Sequence, residues 1–186
     1  MTLPLPHDYV DNDAVRDNFE ALSKALPVSI ANSSYNNVGW AAGSFSAGMA
    51  STQSISNGTF TKVNFDTEDW DVSGWYDTSN KRWTPLIKGI YRVSASAYFS
   101  SSLADQSLFL LTCYKNGSDH RRLQSARVSG SSNDEVRNGS CLVSMNGTTD
   151  YIEIFVYQSN GAASTYTLGN SGSNSYFQGE LVGKLT

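Results

Sequence analysis

The sequence predicts an all-β chain built as an antiparallel double sheet, either sandwich or jelly roll, and three observations predict it. Ser, Asn and Gly together supply nearly a third of the 186 residues, aromatic residues 12% and charged residues only 16%. That mixture suits short strands joined by tight turns rather than helices. Residues 90–100 alternate strictly: Tyr91, Val93, Ala95, Ala97 and Phe99 point one way, and Arg92, Ser94, Ser96 and Tyr98 the other. Asn-Gly pairs punctuate the chain at Asn57-Gly58, Asn116-Gly117, Asn138-Gly139, Asn146-Gly147 and Asn160-Gly161. This dipeptide suits type I′ turns, whose two central residues both need positive φ. Four of these pairs also form Asn-x-Ser/Thr glycosylation triplets, and a fifth triplet begins at Asn32.

The first 39 residues read as a separate unit, with residues 40–186 as the second. Residues 11–26 form the one credible helix. Asp11, Asn12 or Asp13 caps its start and Pro27 stops it. Val15, Phe19, Leu22 and Leu26 make a single apolar stripe. Fewer than three heptads cannot hold a bundle alone, so the stripe is expected to dock on a partner or on a copy of itself, the alternative being that it packs back on its own domain. The start, Met1 to Asp8, has no basic region followed by an apolar run, so it does not read as a secretory signal. Residues 28–58 are poor in charge and read as an extended linker entering a first strand near 40–45.

Further strands are expected at 59–65, 82–87, 90–100, 106–115, 121–129, 136–145, 151–158 and 176–185. One of them is apolar on both faces. Tyr151, Phe155 and Tyr157 lie on one side, Ile152, Ile154 and Val156 on the other, and Glu153 interrupts. An antiparallel strand normally keeps one wet face. This one predicts a sheet covered twice, by the core and by another subunit; the alternative is a central strand covered by a loop. Cys113 and Cys141 fall in strands without a CxxC or His-rich setting, and read as two buried thiols or as a disulfide.

An ordered series of short motifs resembles the trimeric jelly roll of complement globular heads and tumour-necrosis-factor-like domains. The series runs Phe60-Thr61-Lys62-Val63, Gly74-Trp75-Tyr76-Asp77, Trp83-Thr84-Pro85, Lys88-Gly89-Ile90-Tyr91, Tyr114-Lys115-Asn116-Gly117, Asn146 to Ile152, and Tyr176-Phe177-Gln178-Gly179-Glu180-Leu181. It covers roughly residues 40–185; three residues separate Pro85 and Gly89, where the family has one or two. The resemblance implies a compact trimer, with the sheet that holds strand 151–158 at the threefold axis. Tyr151, Phe155 and Tyr157 are then the expected trimer interface. At the N-terminus, Val15, Asn18, Phe19, Glu20 and Leu22 are similar to the virion-attachment ends of small bacteriophage tail and fibre proteins.

The chemistry in the sequence is sparse. His7 and His120 are the two histidines, and Gly43-Ser44-Phe45-Ser46-Ala47-Gly48 misses the nucleophile elbow by one position. No phosphate loop or HExxH is present. Asp69 and Glu153 would have to face each other across a groove to act as a glycosidase pair. The acidic tract 66–71, with Asp77 nearby, can be a solvated turn-forming loop or can bind calcium through oxygens, as several members of the resembled family do. Trp70 is the aromatic expected to stay exposed, and with Asp69 and Asp71 it is the candidate glycan contact. Trp75 and Tyr76 are expected either beside it or inside the jelly roll. Arg121, Arg122, Arg127 and Arg137 read as rim ion pairs or trimer contacts. A net charge of −4 gives no pull toward nucleic acid, and no apolar run approaches the roughly 20 residues that span a bilayer. The reading that follows is a non-enzymatic virion protein, a homotrimeric head or tail fibre knob or decoration protein anchored to phage capsid or tail proteins by its N-terminus and adhering to host-surface glycans. A soluble trimeric tumour-necrosis-factor-like ligand or lectin is the alternative.

Overall fold

The computed structural model describes residues 43–100, 103–130, 134–160, 165–169 and 174–185. The expected helix over 11–26, with Val15, Phe19, Leu22 and Leu26, and the whole 1–39 unit lie outside the described residues. The described strands all pair antiparallel, and one isolated bridge, Asn57 to Gln158, is parallel. The strands are β1 (Phe45–Gly48), β2 (Gln53–Ile55), β3 (Thr61–Lys62), β4 (Thr67–Asp71), β5 (Tyr76–Asp77), β6 (Arg82–Trp83) and β7 (Gly89–Phe99). They continue with β8 (Leu108–Lys115), β9 (Ser118–Arg127), β10 (Glu135–Met145), β11 (Ile152–Ser159), β12 (Tyr166–Leu168) and β13 (Tyr176–Lys184).

Two sheets face each other. In sheet A, β7 lies between β10 on one side and β13 on the other, and β13 leads through β1 to β4; β12 and β2 extend the sheet beside Phe99. In sheet B, β11 pairs along its length with β8, which pairs with β9, while β3 and the β6–β5 pair flank its other side. The alternation of β7 drives this arrangement. Its residues Tyr91, Val93, Ala95, Ala97 and Phe99 are all fully buried, and β11 answers them across the core with Ile152, Ile154 and Val156.

Aromatic rings fill the space between the sheets in two groups. Phe45 lies 4.7 Å from both Tyr76 and Trp83 and 4.8 Å from Phe177 by ring centroids. Further along, Phe109 lies 4.4 Å from Phe99 and 5.6 Å from Tyr166. Offset and edge-on contacts of this kind add roughly 0.5–1.5 kcal/mol each beyond the area they bury. Gly179 makes room for the first group, because a Cβ there would stand 2.3 Å from Trp83 Cζ3.

The turns are more varied than the Asn-Gly pattern suggests. Asn116 (φ 54°) and Gly117 (φ 77°) both take positive φ, as a type I′ turn between β8 and β9 requires. Asn146 instead works through its side chain, its Oδ1 accepting from the N–H groups of Thr148, Thr149 and Asp150. Asn138-Gly139 is not a turn at all. It sits inside β10, where Gly139 is needed because a Cβ would meet the Leu123 carbonyl oxygen at 2.6 Å. Asp150 joins two of the turns. Its carboxylate accepts from Asn116 Nδ2 (2.8 Å) and the Asn146 N–H (2.9 Å), and pairs with Lys115 Nζ (2.8 Å).

Several expected elements are corrected. The acidic tract 66–71 is not a loop: Thr67–Asp71 is β4, paired with β1 through a bulge. The strand expected at 59–65 pairs only at Thr61–Lys62, and the one at 82–87 only at Arg82–Trp83. β1 begins at Phe45.

Two outcomes follow. At Gly147 (φ 76°) a Cβ would meet the Lys88 backbone nitrogen at 2.3 Å, whereas at Gly74 (φ 65°) it would meet nothing within 4 Å. Gly74→Ala should therefore cost about 1 kcal/mol of left-handed strain. Gly147→Ala should cost about 2–4 kcal/mol, because backbone must move as well; urea denaturation of both variants checks the difference. Burial acts to raise the pKa of Asp150, but hydrogen bonds from Asn116, Lys115 and the Asn146 N–H outweigh it and hold the carboxyl below its usual range. Stability from this carboxylate is present above the unfolded value, about 3.9, and is lost as pH falls through the depressed folded value. Asp150→Asn should be less stable than wild type at neutral pH and should flatten the acid limb of a melting-temperature profile from pH 7 to 2.

Candidate functional site

The chain presents two sheet faces, and the expected interface residues lie on one of them. On the outer face of sheet B, Phe155 stacks on Tyr114 with ring centroids 3.9 Å apart. Tyr157 lies 5.0 Å from Phe60, and the Arg122 guanidinium sits over Phe60 at 5.2 Å. Glu153, buried among these rings, is paired with Lys62 Nζ at 2.9 Å. Tyr151 stands apart at the end of the strand under Arg82, 5.1 Å from the guanidinium carbon. The chain's own Phe60, Tyr114 and Arg122 thus cover part of this face and leave Phe155 and Tyr157 half-buried.

The outer face of sheet A is different. Leu142, Val182 and Trp70 are 55%, 50% and 46% exposed, and Val136 is exposed on the same face at the other end of β10. Strand register places Leu142 opposite Arg92, which is itself opposite Glu180 and bonded to it at 2.6 Å. Trp70 stands opposite Ser46, which is opposite Gln178. Between these rows lies a shallow hollow of about 280 Å³ lined by Trp70, Ser94, Arg92, Gln178 and Glu180. The apolar side chains are spread over this face with Arg92, Glu180, Ser94, Gln178 and Ser46 between them, since β7, β13 and β1 separate β10 from Trp70 on β4.

Of the expected glycan contacts, the Trp70 ring faces this hollow. The Asp69 carboxylate accepts from Ser46 Oγ at 2.8 Å. Asp71 accepts from the N–H groups of Ser73 and Tyr76 at 3.1 and 2.7 Å, which fixes the turn into β5. Asp66 likewise accepts from the Ala50 N–H at 2.8 Å. Asp66, Asp69 and Asp71 therefore serve as acceptors for separate local groups, and among the described residues no three His, Cys, Asp or Glu side chains converge as a metal cage would need. Tyr76 packs inside, its hydroxyl donating to the Phe65 carbonyl, and burial pushes its pKa well up. Trp75 packs against the core edge.

The arrangement offers little for catalysis. His120 is exposed on β9, and partial burial together with Arg121 and Lys115 lowers its pKa; His7 lies outside the described residues. Asp69 and Glu153 belong to different sheets and do not face each other. Arg122 pairs with Asp119 and Arg137 with Glu135, while Arg127 donates to the Gln106 carbonyl. Arg122 and Arg127 make local surface contacts, whereas Arg137 is buried with its guanidinium 5.7 Å from the Phe109 ring centroid, so the set is not a basic patch. Sequence reasoning missed the hollow and the sheet A face, because the exposed apolar residues come from three strands and touch no common motif.

Neither a family model nor a curated protein matches the chain. Solved structures do. The globular domain of zebrafish complement 1qA is 16% identical and superposes over 76% of this chain and 98% of its own, with a TM-score of 0.54. Murine APRIL is 11% identical over 75% of this chain and 98% of its own, also with a TM-score of 0.54. At these identities the likeness is one of fold: the described chain is an antiparallel jelly roll of the kind seen in complement globular heads and tumour-necrosis-factor-like domains.

Proposed function

We propose that the chain is a non-enzymatic binding module that works as a homotrimer, with the outer face of sheet A covered by neighbouring copies. One observation carries this reading: Trp70, Val136, Leu142 and Val182 share a single uncovered sheet face. One exposed apolar residue needs no explanation, but four on a single sheet face, set among Arg92, Glu180 and Gln178, give a neighbouring copy both apolar surface to bury and polar groups to meet. The jelly-roll likeness supports a trimer as the closed form, since cyclic symmetry covers the same patch on every copy. The proposal moves the association surface away from Tyr151, Phe155 and Tyr157, which the chain partly covers itself. The sparse ionisable chemistry supports a role in binding rather than reaction.

Two finer versions share this core. A soluble trimeric ligand or lectin draws on the fold and on the exposed Trp70 ring, and the fold likeness favours it. A phage head or tail fibre knob draws on the N-terminal pattern Val15, Asn18, Phe19, Glu20 and Leu22. In the second version, truncation to residues 28–186 removes particle attachment and leaves the knob assembled.

Light scattering coupled to size exclusion on the full chain should give the mass of three chains. Leu142→Arg and Val182→Asp should shift that mass toward one chain. Tyr157→Lys, on the other sheet, should leave it at three. A monodisperse wild-type monomer removes the proposal, and loss of the trimer in Tyr157→Lys with retention in Leu142→Arg returns the interface to sheet B.

A further inference from the structure

Cys113 and Cys141 come from opposite sheets and meet in the core. On β8, Phe109, Leu111 and Cys113 point inward and are fully buried. On β10, Cys141, Val143 and Met145 point inward, with Cys141 half-buried against the core. The two strands come close across the core, and each thiol is the group that most perturbs the other's ionisation. Gly139, two residues before Cys141, is what brings the edge together. Without a Cβ it lets β10 lie against the Leu123 carbonyl of β9. A disulfide needs Cα atoms roughly 4.4–6.8 Å apart and facing Cβ atoms, and both cysteines face the core from neighbouring strands of opposite sheets.

The two sulfurs are not equivalent. The Cys113 hydrogen bond to Cys141 and its burial both push its thiol up, so it stays protonated. The same hydrogen bond, received from Cys113, pulls Cys141 down against its own burial, helped by the nearby Arg121 guanidinium. Asp119, also on β9, acts on Cys113 in the opposite sense to Arg121. Cys141 is thus the more accessible and more easily ionised sulfur, and Cys113 is the buried partner positioned behind it.

We infer that Cys113 and Cys141 form a redox-active dithiol that a low-molecular-weight disulfide of the glutathione class converts to a disulfide, joining β8 of one sheet to β10 of the other. The Cys141 thiolate attacks one sulfur of glutathione disulfide, forms a mixed disulfide and releases one glutathione thiolate, which takes up a proton. Capping Cys141 removes the thiolate that held the Cys113 proton. Cys113 then loses that proton, attacks the Cys141 sulfur and expels the second glutathione as its thiol. Two protein thiols are oxidised, one glutathione disulfide is reduced to two thiols, and no other reactant is consumed. The new bond closes a loop of roughly 28 residues across the open edge of the sandwich.

The test uses the full chain, native, with glutathione disulfide as the probe. Intact mass should fall by two hydrogens, and both sulfurs should resist alkylation after unfolding. The thermal midpoint should rise by about 5–10 °C, reversed by a reductant. Cys113→Ser should retain one glutathione as a mixed disulfide on Cys141, and Cys141→Ser should react much more slowly because Cys113 is buried. Three wild-type results each overturn the inference: two alkylatable thiols after native oxidation, a persistent mixed disulfide, or covalent dimers on a non-reducing gel. Because each is read on wild type, the inference stays testable even if a serine variant folds poorly.

Discussion

The contact between the Trp83 indole and the backbone of Gly179 sets the distance between the two sheets. Trp83 comes from β6, which contributes only two paired residues to sheet B, yet its side chain is fully buried. Its six-membered ring lies over β13 of sheet A where any Cβ would collide with it. Phe45 and Tyr91 close on the ring from either side, at 4.7 and 5.1 Å between centroids. The indole Nε1 has no hydrogen-bond partner among the described residues. Leaving such a donor unmet costs about 1–3 kcal/mol. Burying so large a ring among other aromatic rings outweighs that cost, which is why a tryptophan can be held by so short a strand.

The two ends of the sandwich are closed by different means. At the Trp83 end, aromatic rings hold the sheets together and a single glycine makes room. At the β9–β10 end there are few large rings. Backbone lies on backbone at Gly139 and Leu123, and two thiols occupy the space between β8 and β10. Asp150 ties neighbouring turns at the ends of β8 and β10, so both strands that carry the cysteines are already anchored at one end.

Strands that bury one face were legible in the sequence. β7, β8, β10, β11 and β13 all lie close to their expected bounds, because core burial imposes a period of two that survives in the residue types. β4 was not legible, since residues 67–70 are exposed and its pairing with β1 leaves no trace in hydropathy. The short β2 and β12 were missed for the same reason: each is held by its neighbours, not by its own pattern. Asn138-Gly139 misled because a glycine required for close approach looks like a glycine required for positive φ. The surfaces were half legible. The exposure of Trp70 followed from its acidic neighbours. The doubly apolar strand 151–157 announced a second covering layer, but not that Phe60 and Tyr114 supply part of it. A sequence pattern records that a face is apolar and is silent on which atoms cover it.

The sheet A face also carries charge, and this bears on how selective its association would be. Arg92 and Glu180 sit among Leu142 and Val182, each with about half of its side chain exposed, at 53% and 51%. In solvent such a pair contributes little, roughly 0–1 kcal/mol. Covered by another copy, both charges would lose water, and the pair would be tolerated only where the incoming surface leaves its 2.6 Å bond intact. Apolar side chains tolerate many arrangements of a partner, whereas a desolvated ion pair tolerates few. The apolar residues therefore supply the drive to cover this face, and Arg92 with Glu180 restricts the registers in which it can be covered.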